Sequence, residues 1–173
     1  LTGGTTMNPF IKLTLAVSFC FVIGGGVASQ AAAAALEQQI VGTWVVVSST
    51  NEREGKKTEA LGPDPIGYYM FDQAGHYSLQ SMRGDLPKFA SNKKNTGTDA
   101  ENRAVVQGIN TIFGTYTINE KDSSVTVHII GGSFPNWAGA DQKRTIAIIG
   151  DTLTWTVPMG PAGTTVITLK RAK

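Results

Sequence analysis

An arginine, two histidines and a set of aromatic residues carry whatever chemistry this sequence offers. In "DQKRTIAII" (141–149), side chains alternate along an extended strand, so Arg144 shares a face with Gln142, Ile146 and Ile148. An arginine alternating with isoleucines is not the pattern of a solvent face. Turned inward, it suits a forked hydrogen bond to a ligand carboxylate or enolate. The other reading is an ion pair at a rim, with Asp141 or Glu101. In "VTVHII" (125–130), His128 shares a face with Thr126 and Ile130, opposite Val125, Val127 and Ile129. If that face lines an interior, His128 is the natural proton-transfer group, because its ordinary pKa lies near neutrality. A hydrogen-bonded structural histidine is the alternative. His76 follows the turn "DQAG" (72–75) and is expected at an exposed rim.

"SFPNWAG" (133–139) sets Phe134 and Trp137 around a Pro-Asn bend, where they can wall a pocket or fold onto their own scaffold. Tyr68, Tyr77, Met82, Phe113 and Tyr116 lie in strand-like runs and are candidates for ligand contact or for core. His128 and Arg144 are thus the candidate catalytic groups. The candidate binding set adds these five residues, Phe134 and Trp137.

Other chemistries lack their residues. Two separated histidines and one cysteine, Cys20, do not make a zinc or copper site, so no metal is expected. No phosphate-cradling glycine loop and no nucleophile-elbow serine occur, and no cofactor is expected. Asp72, Glu120, Asp122 and Asp151 sit in turns rather than as facing carboxylates. The formal net charge is +2 with no basic stripe, which gives a nucleic-acid partner no footing.

The elements that must position these residues begin after an N-terminal leader. Met7, Lys12, the apolar run Leu13–Ile23 and the small residues through Ala35 have the order of a secretory signal peptide. The apolar run is short for a membrane span of about 20 residues, so no stable span is expected once the signal is removed. The expected division is residues 1–31 as signal with upstream residues, 32–38 as a flexible mature N-terminus, and 39–173 as one domain. Cys20 leaves with the leader, which excludes a disulfide. Export to a periplasm or beyond is the expected localisation.

Strand-like runs rich in Val, Ile, Thr and aromatics fall at 42–50, 66–72, 76–83, 111–119, 124–130, 142–149, 152–158 and 164–170. Turn signals at "DQAG", "NEKDSS" (119–124) and "GD" (150–151) separate several of them. Such short strands suggest a sandwich or a barrel, and eight antiparallel strands can close around one small ligand. The connection 51–65 is polar and ends at Pro63 and Pro65. The connection 84–110 holds a capping-box pattern, Thr98 with Glu101, and a short helix over 99–109. Ala100, Ala104, Val105 and Ile109 are expected on one face, and the helix is either a lid or a packing on the outer wall.

"GTW" (42–44), opening the first of eight strands, resembles the lipocalins and the wider calycin group. The ordered set "VGTW" (41–44), "GPDPIGYYMFDQAGHYSLQSMR" (62–83), "PKFAS" (87–91), "ENRAVVQG" (101–108), "FGTYTI" (113–118), "FPNWAGADQKR" (134–144) and "LTW" (153–155) is similar to the bacterial and fungal lipocalin-like domain family. The resemblance implies an all-β, eight-stranded antiparallel up-and-down barrel, closed at one end and open at the other. It implies that Trp44 plugs the closed end, with Lys170 or Arg171 stacked over it and Gly42 admitting a close backbone approach. The chain lacks the Thr-Asp-Tyr motif and the disulfides of secreted lipocalins, so their ligands do not carry over. The expected function is binding of a small hydrophobic or amphipathic molecule in the barrel. The alternatives are a cyclase or isomerase acting on a confined molecule, with His128 and Arg144 as its polar groups, and an envelope interaction protein that uses the barrel as scaffold. Nothing in the sequence sets the oligomeric state.

Overall fold

The computed structural model describes residues 1–4, 35–160 and 163–173, apart from the side chain of Met159. The leader expected over 1–31 falls outside the described residues except for 1–4. The chain divides into two units, Leu1–Ala32 and Ala33–Lys173. Among the described residues no helix is long and apolar enough to cross a membrane.

The second unit is a closed antiparallel barrel. A short helix, α1 (Leu36–Ile40), leads into β1 (Gly42–Arg53), followed by β2 (Lys56–Glu59), β3 (Ile66–Phe71) and β4 (His76–Met82). Helix α2 (Asp99–Gly108) separates these from β5 (Ile109–Asn119), β6 (Ser124–Gly132), β7 (Asp141–Ile149), β8 (Thr152–Gly160) and β9 (Gly163–Arg171). Strands β3 to β9 follow one another as neighbours, and β1 closes the ring by pairing with both β3 and β9. Eight strands form the wall, as the composition suggested. The ninth, β2, is an addition within the polar connection 51–65: it pairs with the outer half of β1 beyond the end of β3. Its turn is Glu54-Gly55, both with positive φ, which is the two-residue hairpin geometry. A glutamate at the first turn position hides that signal, because Asn or Asp is the usual residue there.

Alternation sorts the side chains. Val125, Val127 and Ile129 on β6, Leu153 and Trp155 on β8, and Ile167 and Leu169 on β9 are buried inside the ring. Three register shifts interrupt this pattern. One, between Val46 and Ser48 of β1, turns Val47 outward and brings Ser49 and Asn51 to the interior. The others lie at Phe113/Gly114, where β5 meets β6, and at Val157/Gly160, where β8 meets β9. Each shift adds a residue to one strand, bends it and raises its twist, which lets a sheet curl shut.

One end is filled. Trp44 is fully buried, and its indole N–H donates to the Ile40 carbonyl at 2.8 Å. The Arg171 guanidinium lies 4.1 Å from the Trp44 ring and donates to the carbonyls of Val41 (3.1 Å) and Gln39 (2.8 Å). Arg171, not Lys170, covers the tryptophan; Lys170 Nζ donates outward to Thr152 Oγ1. Gly42 leaves room for the guanidinium, since a Cβ there would stand 3.3 Å from Arg171 Nη1.

Helix α2 forms where the capping pattern placed it. Glu101 N–H donates to Thr98 Oγ1, and Thr98 N–H donates to a Glu101 carboxylate oxygen at 2.7 Å. Gly108 at the end of α2 abuts Leu86 and Arg83, and Val106 is largely exposed. Ala104 and Val105 are half-buried while Ala100 is exposed, so the expected apolar face is only partly used.

Candidate functional site

The other end of the barrel opens onto a cavity of about 480 Å³, within the ordinary range for small-molecule sites. Its wall is largely apolar, with Leu79, Ile112, Trp155 and Ile167 from the strands and Trp137 from the loop after β6. Polar groups are few, and the chief of them is Arg144. No residue of α2 reaches the lining; Asn110, the first inward residue of β5, is where the long connection meets it. The helix therefore contributes no side chain to the cavity wall.

Arg144 is positioned by β7 with the parity read from the sequence: Gln142 and Arg144 line the cavity, and Ile146 fills the core one step deeper. Its Nη1 donates to the Lys143 carbonyl at 2.9 Å, and its Nη2 donates to Gln142 Oε1. Neither acid proposed as a rim partner meets it. Asp141 binds His128, and Glu101 accepts from Ala90 N–H at 2.7 Å and from Thr98. Burial is the main influence on its guanidinium and lowers its pKa, opposed by the nearby Tyr69 and Tyr77.

Those two phenols form the inner neighbours of Arg144. Both are buried, and burial pushes each pKa from 10.0 up to about 12, although Arg144 pulls the other way. The Tyr69 hydroxyl also bonds Ser81. A raised folded-state pKa means that the folded protein holds the proton after the unfolded chain has released it. The stabilisation is therefore complete below about pH 10 and is lost as pH rises towards 12, each tenfold difference in proton affinity being worth about 1.4 kcal/mol. Urea midpoints are expected to fall across that alkaline window, and Tyr69→Phe is expected to flatten the fall. A midpoint independent of pH there would contradict the buried neutral phenols.

The expected site residues divide sharply. Trp137 and Arg144 line the cavity. Tyr77 faces inward beneath it, its hydroxyl 3.5 Å from the His128 carbonyl. Tyr116 is buried nearer the closed end and donates to the Asp72 carbonyl at 2.8 Å. Tyr68, Phe113 and Phe134 are about half exposed on the outside, and Met82 shares the outward parity of β4. Phe134 packs edge-on against Trp137 with ring centroids 5.2 Å apart, supporting the cavity wall from behind.

His128 corrects the inward alternative. It lies on the outer face, with Nδ1 2.7 Å from Asp141 Oδ1. The valines and isoleucine flanking it take the interior, because three buried aliphatics gain more from desolvation than one imidazole would. A proton-transfer role inside the cavity is therefore not open to it. His76 is likewise exposed, with Nδ1 2.9 Å from Asp72 Oδ2. Among the described residues, no group of His, Cys, Asp and Glu could hold a metal ion.

Sequence reasoning missed Tyr69 and Trp155. Tyr69 packs edge-on to Trp155 at 5.7 Å, and both line the cavity. Alternation placed Tyr69 opposite Tyr68, but both faces of β3 are apolar, Ile66, Tyr68 and Met70 against Tyr69 and Phe71. The pattern alone leaves the inner face undecided.

Among solved structures, the fold is similar to the crystal structure of a mutant of the fluorescent protein UnaG, at 15% identity and a TM-score of 0.36, covering 78% of this chain and 97% of that one. No curated protein matches. The conserved pattern of the lipocalin-like domain matches residues 41–170, which span the barrel from its first strand to its last, and the chain belongs to that family.

Proposed function

We propose that this is an exported protein that binds a small hydrophobic or amphipathic molecule inside its barrel. The observation that carries the reading is the cavity itself: about 480 Å³, open at one end and walled mainly by apolar side chains. Burying a ligand's apolar surface there contributes about 25 cal/mol per Å² before the costs of association. Export rests on the Lys12, Leu13–Ile23 and small-residue order of the N-terminal segment. Membership of the family supports the barrel and leaves the ligand open.

Native mass spectrometry of the protein recovered from its host's envelope or medium tests both parts. The expected result is a chain starting near Ala32 that carries an added mass lost on denaturation. A full-length chain would overturn export. An empty barrel that also takes up no apolar reporter would overturn the binding reading.

A further inference from the structure

We propose that the molecule taken by this cavity is an amphipathic anion, and that Arg144 receives its carboxylate-type head while the apolar body extends towards the mouth. The inference rests on the binding reading above and adds the class of ligand.

The cavity is electrically unbalanced. Among the described residues lining it there is one cation, Arg144, and no aspartate, glutamate, lysine or histidine. The groups that meet the guanidinium are a backbone carbonyl and an amide oxygen, both neutral, and they use two of its five N–H donors. Tyr69 and Tyr77 stay protonated at any ordinary pH, so neither supplies the missing charge. Of the two, Tyr69 lines the cavity and can act as a hydroxyl donor. A guanidinium held partly out of water without a counter-charge is costly, and a bound oxyanion offsets that cost with charge-assisted, forked hydrogen bonds.

The orientation follows from depth. Along β7, Gln142 and Arg144 line the cavity and Ile146 belongs to the sealed core, so Arg144 is the deepest lining residue of its strand, beside the buried Tyr69 and Trp155. On β4, Leu79 lines the cavity and Tyr77 lies below it. Towards the mouth the lining includes Leu61, Val157, Pro158 and Trp137 beside the neutral Asn51 and Thr165, with no further charge. The molecule therefore enters head first and leaves its apolar part against the aromatic and aliphatic rim. A cationic amphiphile meets the wrong charge, and a neutral one leaves Arg144 unpaired.

The test displaces a neutral apolar fluorophore, N-phenyl-1-naphthylamine, from the barrel protein with decanoate, decanol and decyltrimethylammonium. The pH is about 8, where a carboxylate is fully ionised. Decanoate is expected to compete at least about tenfold better than decanol, and the cation worst. Arg144→Met is expected to erase the preference for decanoate while keeping decanol within about threefold, and Arg144→Lys to retain part of it. The thermal midpoint of Arg144→Met is expected to be unchanged or higher, because it removes an unpaired charge. Equal competition by decanoate and decanol, or a preference that survives Arg144→Met, would overturn the head-group assignment alone. Failure of the fluorophore and of all three amphiphiles to bind would overturn the cavity reading, and this inference with it.

Discussion

Trp44→Ala is expected to destabilise the barrel by about 3–5 kcal/mol, the usual range for truncating a fully buried aromatic. Three losses coincide at this position. The indole is completely buried, so its removal leaves a void where β1 begins. Its N–H bond to the Ile40 carbonyl disappears, and that carbonyl belongs to the helix that caps the closed end. The Arg171 guanidinium, 4.1 Å from the ring, loses its aromatic partner, a contact worth about 1 kcal/mol. The guanidinium keeps its bonds to the Val41 and Gln39 carbonyls, so it remains in place above an empty space. Urea unfolding monitored by circular dichroism checks the magnitude. Arg171→Met alone is expected to cost about 1–2 kcal/mol, and the two substitutions together less than their sum, because they share a contact. A loss below about 1 kcal/mol for Trp44→Ala would mean that the closed end does not depend on its plug.

Gly114→Ala is expected to cost about 3 kcal/mol, at the upper end of what overpacking usually does. A Cβ at Gly114 would stand 1.9 Å from the His128 carbonyl oxygen and 3.0 Å from the Ile130 nitrogen, both main-chain atoms of β6. A backbone cannot swing aside as a long side chain can. The position also adjoins the register shift at Phe113/Gly114, so a methyl group would push β5 from β6 where their pairing is already interrupted. The contrast is Gly160→Ala, whose added Cβ meets nothing within 4 Å and is expected to change stability by less than about 0.5 kcal/mol. Equal effects from the two substitutions would remove the steric argument for Gly114.

The strand runs, the turns between them and the capping box at Thr98 and Glu101 were legible because they depend on local periodicity and on residues close in the chain. The same local signals gave eight strands in a sandwich or a barrel, and the up-and-down barrel order was implied by the family resemblance. Arg144 was legible as an odd residue on an aliphatic face, and Trp44 as a large residue at the start of the first strand. Which face of each strand looks inward is a different matter. In β3 and β6 apolar side chains occupy both faces, so alternation defines two sets without saying which is inside. Closure decides it. The ring has room on β6 for Val125, Val127 and Ile129, and that sends His128 outward to Asp141. It takes Tyr69 in and leaves Tyr68 out. The shift at Val46/Ser48 then brings polar Ser49 and Asn51 to the cavity, a reversal of parity that only the pairing of β1 with β9 can set. Local spacing thus determined the elements. Long-range pairing and the competition for interior volume decided the site, because a barrel has one inside and its strands offered two.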